Sequence, residues 1–504
     1  MSVASWNSGY VTDVAYMPGY YRQQTPSMIA LAALLGGTLC GLPGPDDPVS
    51  YLELGCGQGY GALLLAASNP GWRVTAVDFN PAHIAAARAW AEASGIGNVA
   101  FLEADLATLA DDPALARLVP EADFASLHGL WSWVPPPVQA GIVRLLGARV
   151  RAGGAVHVSY NSLPGWAGAL GLQRLLREAG RRLASRSDRQ AAEGAKFVHA
   201  LNAAEAIQLR RQPMAQAMLG RLADFPTAYL AHEYMNDSWA PCFHADVAGA
   251  LGGAKLEWVA SAELAENFPE LVLTDVQRVE YRKFDDPMAR ELVKDMCLDR
   301  TLRHDVFVRG PRRIPPPVRD MALREVWLGL IAAPEDIPFE IDMPAGRAEL
   351  SRGFYGPIIE ALASGPKRVG DLLDIPELEG RRSNPAELVG ILVGLGFAAP
   401  ALRPSGSQGE AALRFNRFCA RGLRGIQPLG GALGLASDVL GAGAAATLTD
   451  ILVADRVRDG DDEGAIDSWL RIVDPAPEDA ERAREALLLS LKRRIPRYRA
   501  LGIV

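Results

Sequence analysis

The segment YLELGCGQGYGALLLAA, Tyr51 to Ala67, sets a short apolar strand, a glycine loop and a helix in immediate succession. Gly55, Gly57 and Gly59 permit backbone angles closed to other residues and leave room for a ligand, and the first turn of the following helix offers N–H groups without partners of their own. That chemistry is nucleotide binding. With Gly57, Gly59 and Ala62 the string also satisfies the relaxed dinucleotide pattern GxGxxA, so the loop alone does not choose among nucleotides.

Three acids make the choice. Glu53 interrupts an otherwise apolar strand, and a carboxylate headed for burial is costly unless a cation meets it. The cationic methionine group of S-adenosylmethionine is such a partner. Asp78 closes RVTAVDF, 19 residues after Gly59, where a carboxylate accepts from both ribose hydroxyls. Asp105 closes FLEADL, where class I methyltransferases commonly read the adenine amino group, an acid the dinucleotide pattern does not require. Taken singly, each aspartate reads as a helix or turn cap. Together and in strand order they predict S-adenosylmethionine as cofactor and S-adenosylhomocysteine as product.

Methyl transfer from a sulfonium is an in-line displacement, which asks for alignment, exclusion of water and an acceptor with a free lone pair. LHGLWSWV ends the fourth strand and places His128, Trp131 and Trp133 at the sheet edge where ligands bind. The two tryptophans are spaced by two, so one packs into the core while the other faces the cleft. His128 serves either as a turn cap or as a proton shuttle. Tyr160 and Asn161 end the fifth strand, and Pro164, Gly165 and Trp166 follow as a rigid turn, so Asn161 is expected toward the reacting nitrogen; a turn-forming role is the alternative. His232, Glu233 and Tyr234, with His244 and Asp246, superficially suggest a metal cluster, but their spacing fits no zinc signature and no metal is expected.

The elements that must position these groups follow from pattern. Between Val49 and Asn161 short apolar strands alternate with helical stretches, which implies a parallel sheet with helices on both faces. The expected strands are Ser50 to Leu54, Arg73 to Val77, Val99 to Glu103, Phe124 to Leu127 and Ala155 to Tyr160, with Lys255 to Val259 and Asp305 to Val308 completing seven. Helical insertions are expected at about 162–240 and 262–302. The clusters LPGPDDP, PRRIPPP and RPSGSQGE mark boundaries. They give an N-terminal cap segment over 1–45, an α/β Rossmann-like domain over 46–310, a winged-helix-like unit over 318–402, and a helical C-terminal domain over 410–504. From Pro317 onward the chain is expected to be separable from cofactor binding but needed for efficient turnover on a large substrate.

With 504 residues the chain exceeds one core, and 49% hydrophobic with 22% charged residues is the composition of globular proteins. A net charge of −8 argues against bulk electrostatic binding of nucleic acid, and no Lys/Arg stripe follows Pro385 to Phe397. Five dispersed cysteines without a CxxC pair read as reduced thiols of a cytoplasmic protein, and the longest early apolar run, 15 residues from Met28 to Leu42, is too short and glycine-broken to span a membrane.

Four stretches, AYMPGYYRQQTP (Ala15 to Pro26), HGLWSWVPPPV (His128 to Val138), SYNSLPGW (Ser159 to Trp166) and HEYMNDSWAPCFHADVAGAL (His232 to Leu251), resemble a bacterial family of class I methyltransferases with a methyltransferase regulatory domain. The rickettsial outer-membrane-protein lysine methyltransferases belong to that group. The resemblance covers roughly the first 300 residues; Trp131 and Pro18 depart from its pattern. It implies a cap over the cofactor formed by Tyr16, Gly19, Tyr20 and Tyr21, with Tyr20 and Tyr21 against the cofactor. Tyr16, His232, Tyr234 and Trp166 are then expected toward the substrate. The expected activity is N-methylation of a protein or peptide side chain, lysine first. Tailoring of a peptide natural product, for example at an Asn amide, and a cofactor-binding regulator with vestigial chemistry are the alternatives.

Overall fold

A computed structural model describes residue 7 and residues 9–380, 384–406, 409–423 and 433–504. Residues 1–6 and 8 of the leader and Ser407 and Gln408 of the RPSGSQGE connector lie outside the described residues.

The leader runs from Gly9 to Tyr21 without helix or strand and is held by long-range bonds: the Val11 N–H donates to the Asn236 side chain at Oδ1 (2.8 Å), and the Gly9 carbonyl accepts from the Asp237 main-chain N–H (2.9 Å). Then α1 (Pro26–Leu35), with Thr25 at its N-cap and proline in its first turn, is buried along its whole length, as its uninterrupted apolar run requires.

The cofactor-type domain is built in chain order from β1 (Ser50–Leu54), α2 (Tyr60–Ser68), β2 (Arg73–Asp78), α3 (Pro81–Ser94), β3 (Val99–Glu103), β4 (Ala122–Leu127), α4 (Pro136–Arg149) and β5 (Val150–Asn161). Asn80 caps α3 by accepting from the Ala82 N–H, and Gly95 ends that helix in the left-handed region. Downstream come α5 (Leu170–Leu183), α6 (Ser187–Ala203), α7 (Thr227–Tyr234), α8 (His244–Gly252), β6 (Leu256–Ser261), α9 (Pro287–Cys297) and β7 (Leu302–Arg309). The seven strands lie in the order β3-β2-β1-β4-β5-β7-β6, parallel except for β7, which runs antiparallel to both β5 and β6. All seven fall where the apolar runs place them, and the segment after β5 is helical with its own small core around Leu172, Leu176, Val198 and Leu219.

One helix inverts the usual pattern. α9 turns Glu291, Lys294 and Asp295 inward and leaves Leu292 and Met296 exposed. The reason is Arg303 on β7, which has no solvent exposure and is bonded to Asp295 (2.8 and 2.9 Å), Glu291 (2.8 Å) and Asp305 (2.9 Å). A buried guanidinium is tolerable only with such a set of carboxylates around it.

Beyond Pro311 the chain departs from expectation. α10 (Pro316–Arg324) precedes β8 (Trp327–Leu330), and α11 (Arg352–Ala363), β9 (Lys367–Arg368), α12 (Val369–Leu373), α13 (Pro385–Leu392) and β10 (Ala398–Ala401) follow. The expected strand pair after the helix pair is absent among the described residues: β10 alone follows α13, and it pairs with β8, which comes before the helices, in the order β9-β8-β10. The winged-helix expectation is therefore not met.

The last segment is not purely helical either. Between α14 (Glu410–Gly422) and the helices α15 (Leu448–Arg458) and α16 (Ala480–Leu489), an antiparallel pair β11 (Leu433–Ser437) and β12 (Ala442–Ala446) packs on α2. Tyr60 Oη donates to the Gly434 carbonyl (2.6 Å), and Ser68 Oγ to that of Ala442 (3.0 Å). A Cβ on Gly443 would stand 2.9 Å from both Leu64 and Tyr20, so only glycine allows this approach. One hydrophobic cluster runs from Met28 and Leu63 through Leu328 and Val389 to Leu435 and Trp469. The chain after Pro317 thus shares its core with the glycine-loop helix, against the expectation that it is separable.

Candidate functional site

The glycine loop leaves β1 and enters α2 at the carboxyl edge of the sheet. Gly55, Gly57 and Gly59 have φ of +71°, +55° and +74°. A Cβ on Gly59 would lie 2.3 Å from the Phe101 ring, whereas the space at Gly57 is open, so one glycine serves packing and the other leaves room for a ligand. Asp78, at the end of β2, accepts from the Gly57 N–H through Oδ2 (2.9 Å) and from the Asn80 N–H through Oδ1 (2.9 Å). It shapes the loop, and each oxygen keeps a lone pair for a ligand hydroxyl.

Glu53 is buried beneath this loop, and its Oε2 has no hydrogen-bond partner. Burial first, and then the Asp78 charge, push its carboxyl up to about 8. A buried carboxyl with an orphaned oxygen beside the loop fits the amino group of S-adenosylmethionine. Asp105 lines the same cavity from an exposed position while capping its own turn, accepting from the Ala107 N–H (2.8 Å). His83 was not singled out by sequence. It is buried on α3, lies 3.4 Å from Asp78, lines the cavity, and neither ring nitrogen has a hydrogen-bond partner. No motif marks it; only the register of α3 carries it there.

The cavity continues from the loop to an aromatic wall made by Tyr10, Tyr16 and Tyr21 of the leader and by Trp133, with Leu130, Val134 and Pro135. The leader forms its roof. Gln58 Nε2 donates to the Tyr16 carbonyl (3.0 Å), tying roof to glycine loop, and His232 Nε2 meets the Val14 carbonyl at 2.9 Å. Burial drives the His232 ring down to about 4, so it is neutral at pH 7. The Tyr21 ring stacks on His128 with centroids 3.8 Å apart. His128 Nδ1 lies 2.9 Å from Ser159 Oγ, and behind it His157 Nε2 and His304 Nδ1 are 3.0 Å apart. The nitrogens of these three histidines gather within 4.8 Å of one another, and burial lowers all three rings into the neutral form. Because the His157 and His304 ring centres are 5.3 Å apart with planes at 21°, the two nitrogens face each other along one line, the geometry of an N–H···N hydrogen bond.

Several predicted site residues stand elsewhere. Trp131 packs in the core with Leu127, Ile142 and Leu145, while Trp133 lines the cavity; a 3-10 turn over Trp131–Trp133 points them apart, whereas a strand would set residues two apart on one face. Tyr160 does not reach the cavity: its hydroxyl donates to Asp305 and sits 3.1 Å from His244 Nδ1, inside the buried charge cluster of Arg303. Asn161 is fixed by its backbone, its N–H donating to Ser132 Oγ (2.9 Å) and its carbonyl accepting from the Cys242 N–H (2.9 Å), and its side chain is not among those lining the cavity. Trp166 donates to the Thr301 carbonyl (2.8 Å) and stands edge-on to Trp239. Tyr234 packs in the helical insertion. Tyr20 points the other way, its hydroxyl donating to the Gly443 carbonyl (2.8 Å) and accepting from the Gly443 N–H (3.0 Å). The residues brought together at the cavity are thus Glu53, the glycine loop, Asp78, Asp105, Tyr16, Tyr21, His128, Trp133 and His232.

Comparison with known proteins agrees with this layout. Residues 52–154 match a family described as a methyltransferase domain, and residues 226–309 match a predicted methyltransferase regulatory domain. The latter match contains β6 and β7, so the regulatory segment completes the sheet. The protein sll1526 of Synechocystis sp. is 33% identical over 401 residues, 79% of this chain and 78% of its own length. RP789 of Rickettsia prowazekii is 22% identical over 316 residues, covering 61% of this chain and 54% of its own. The structure of PKMT2 from Rickettsia typhi superposes with a TM-score of 0.68 at 16% identity over 97% of this chain and 99% of that one, and a further structure of it is in complex with AdoHcy. No helix among the described residues is long and apolar enough to cross a membrane.

Proposed function

We propose, from the premise that this chain belongs to the S-adenosylmethionine-dependent methyltransferases carrying a methyltransferase regulatory domain, that it methylates a nitrogen on a protein or peptide side chain, lysine foremost. The observation that carries this reading is the continuity of the cavity. It joins the glycine loop and its acids to a wall of tyrosine and tryptophan under the leader.

S-Adenosylmethionine supplies an electrophilic methyl group when bound. Glu53 then holds its amino group, Asp78 the ribose and Asp105 the adenine edge, and the roof of Tyr16 and Tyr21 excludes water. An acceptor lysine arrives as an ammonium with an ordinary pKa of about 10.4 and reacts only after losing a proton. An apolar aromatic passage favours the neutral amine, and aromatic faces attract the ammonium on its way in. Trp133 and the His128–Tyr21 stack are the groups we assign to the walls of that passage.

The test is intact mass spectrometry of candidate bacterial polypeptides after incubation with isotope-labelled S-adenosylmethionine, followed by peptide mapping. Label on lysine supports the reading. Label confined to an Asn amide turns it to peptide tailoring, and cofactor binding without transfer to any polypeptide sinks both in favour of a sensor.

A further inference from the structure

We infer that Glu233, with Tyr10, Tyr16 and Tyr21, forms a cation subsite that admits the primary ammonium of the acceptor and receives its proton; this deepens, and rests on, the side-chain amine reading above.

Glu233 lies in the last turn of α7 between two residues with other employment: His232 meets the leader carbonyl of Val14, and Tyr234 packs in the helical insertion. Successive residues on a helix point about 100° apart, so the side chain between them is turned to the cavity, which Glu233 lines. It is partly exposed, onto that cavity. Among the described residues its carboxyl has no hydrogen bond and no ion pair. A carboxyl kept in a pocket without a partner costs stability unless a ligand completes it. The residues around it specify the ligand: three phenol rings of the leader make a face for a cation rather than a second anion site.

The groups able to titrate near Glu233 are few. Tyr10, Tyr16 and Tyr21 from the leader and Tyr229 and Tyr234 from its own helix are all pushed upward by burial and stay neutral, and His232 is held neutral from below. Asp78, His83 and Glu53 line the same cavity. Burial pushes Glu233 itself up to about 7, so it is the group on this wall that changes charge near neutrality. Above that pH the carboxylate receives the ammonium. The N–H bond then breaks as an O–H bond forms on Glu233, leaving on nitrogen the electron pair that the new C–N bond uses. The neutral acid and amine are favoured over the ion pair in so dry a place, and the proton passes to solvent when the carboxylate re-forms. An amide carries no such proton and no charge, so the subsite selects amines.

The probe is n-butylammonium, titrated into the full-length protein saturated with S-adenosylhomocysteine, with butyramide as neutral comparison and Glu233→Gln as variant. The wild type is expected to bind n-butylammonium at least tenfold tighter than butyramide at pH 8, and to lose that preference as pH falls from 8 to 6. Glu233→Gln, with its S-adenosylhomocysteine affinity intact, is expected to show neither preference nor pH dependence. The inference is overturned if the wild type binds the two probes equally or binds neither, or if the variant keeps the preference. The wild-type pH profile stands even if the variant does not fold. Because nothing is methylated in this titration, its failure leaves the proposed activity standing, whereas absence of label on every polypeptide would remove that activity and leave the titration untouched.

Discussion

The floor of the cavity is knitted locally: the Asp78 carboxylate accepts from the Gly57 and Asn80 N–H groups, and the Gly55 and Cys56 N–H groups both donate to the Val77 carbonyl, all between Gly55 and Asn80. The roof is pinned by side chains reaching across the fold, Asn236 to Val11, His232 to Val14 and Gln58 to Tyr16, the first two spanning 225 and 218 residues. A floor of short-range bonds to main-chain N–H groups fixes one ligand. A roof of long-range side-chain bonds can be retuned without disturbing the sheet, and acceptor choice belongs on that side.

The comparison is sharpest at the two tryptophans. Trp131→Ala should cost about 3–5 kcal/mol of stability, because it empties a core site, and cofactor affinity should fall with it. Trp133→Phe, which keeps an aromatic wall, should leave the melting temperature nearly unchanged while lowering methyl transfer. Thermal unfolding beside single-turnover labelling checks both; equal loss of stability would return Trp133 to the core.

On the floor, Asp78→Ala should weaken S-adenosylhomocysteine binding by about 2–3 kcal/mol, since it removes charge-assisted bonds to ligand and loop together. Calorimetry showing unchanged affinity would break the division into a cofactor floor and an acceptor roof. Glu53 gives the floor a pH signature. Its carboxyl, near 8 in the free protein, must ionise to meet a cationic amino group, so binding releases a proton and affinity rises by about tenfold per pH unit up to pH 8, then levels off. Glu53→Gln should flatten that slope in the same titration. The smallest effect is expected at Tyr20→Phe: loss of its two bonds to Gly443 should lower stability by about 1 kcal/mol with cofactor affinity unchanged, whereas a parallel loss of affinity would put Tyr20 back at the cofactor.

The floor was legible in sequence because its determinants are contiguous: the strand, the glycines and the acids at strand ends state their own geometry. The same holds for the place of the seven strands, though β5 (Val150–Asn161) and β7 (Leu302–Arg309) run well past the apolar stretches that mark them. Tyr160 and Asn161 misled because they end a strand at the right edge, yet the antiparallel partner β7 brings Asp305 and Arg303 to them and draws the Tyr160 ring into a charge cluster. Arg303 itself, Asp295 and Glu291 lie too far apart in type and spacing to read as a buried set. Tyr20 and Tyr21 are adjacent and chemically alike, and only the packing of β12 separates them, one to the hairpin and one to the cavity. His83 carries no motif, and Glu233 lies in a family-like stretch that does not say which of its polar side chains meets the cavity.

α2 begins at the glycine loop and presents its opposite side to β11 and β12, through Tyr60, Ser68 and the glycines of the hairpin. One rigid rod therefore has a ligand at its tip and a distant module along its flank. By linkage, a ligand at 100 times its dissociation constant adds about 2.7 kcal/mol to whatever unfolds as a unit with its site, and that unit includes residues 433–446. The hairpin is in this sense a thermometer for the cofactor loop: its resistance to heat and to proteolysis is set in part by the concentration of a small molecule it never touches.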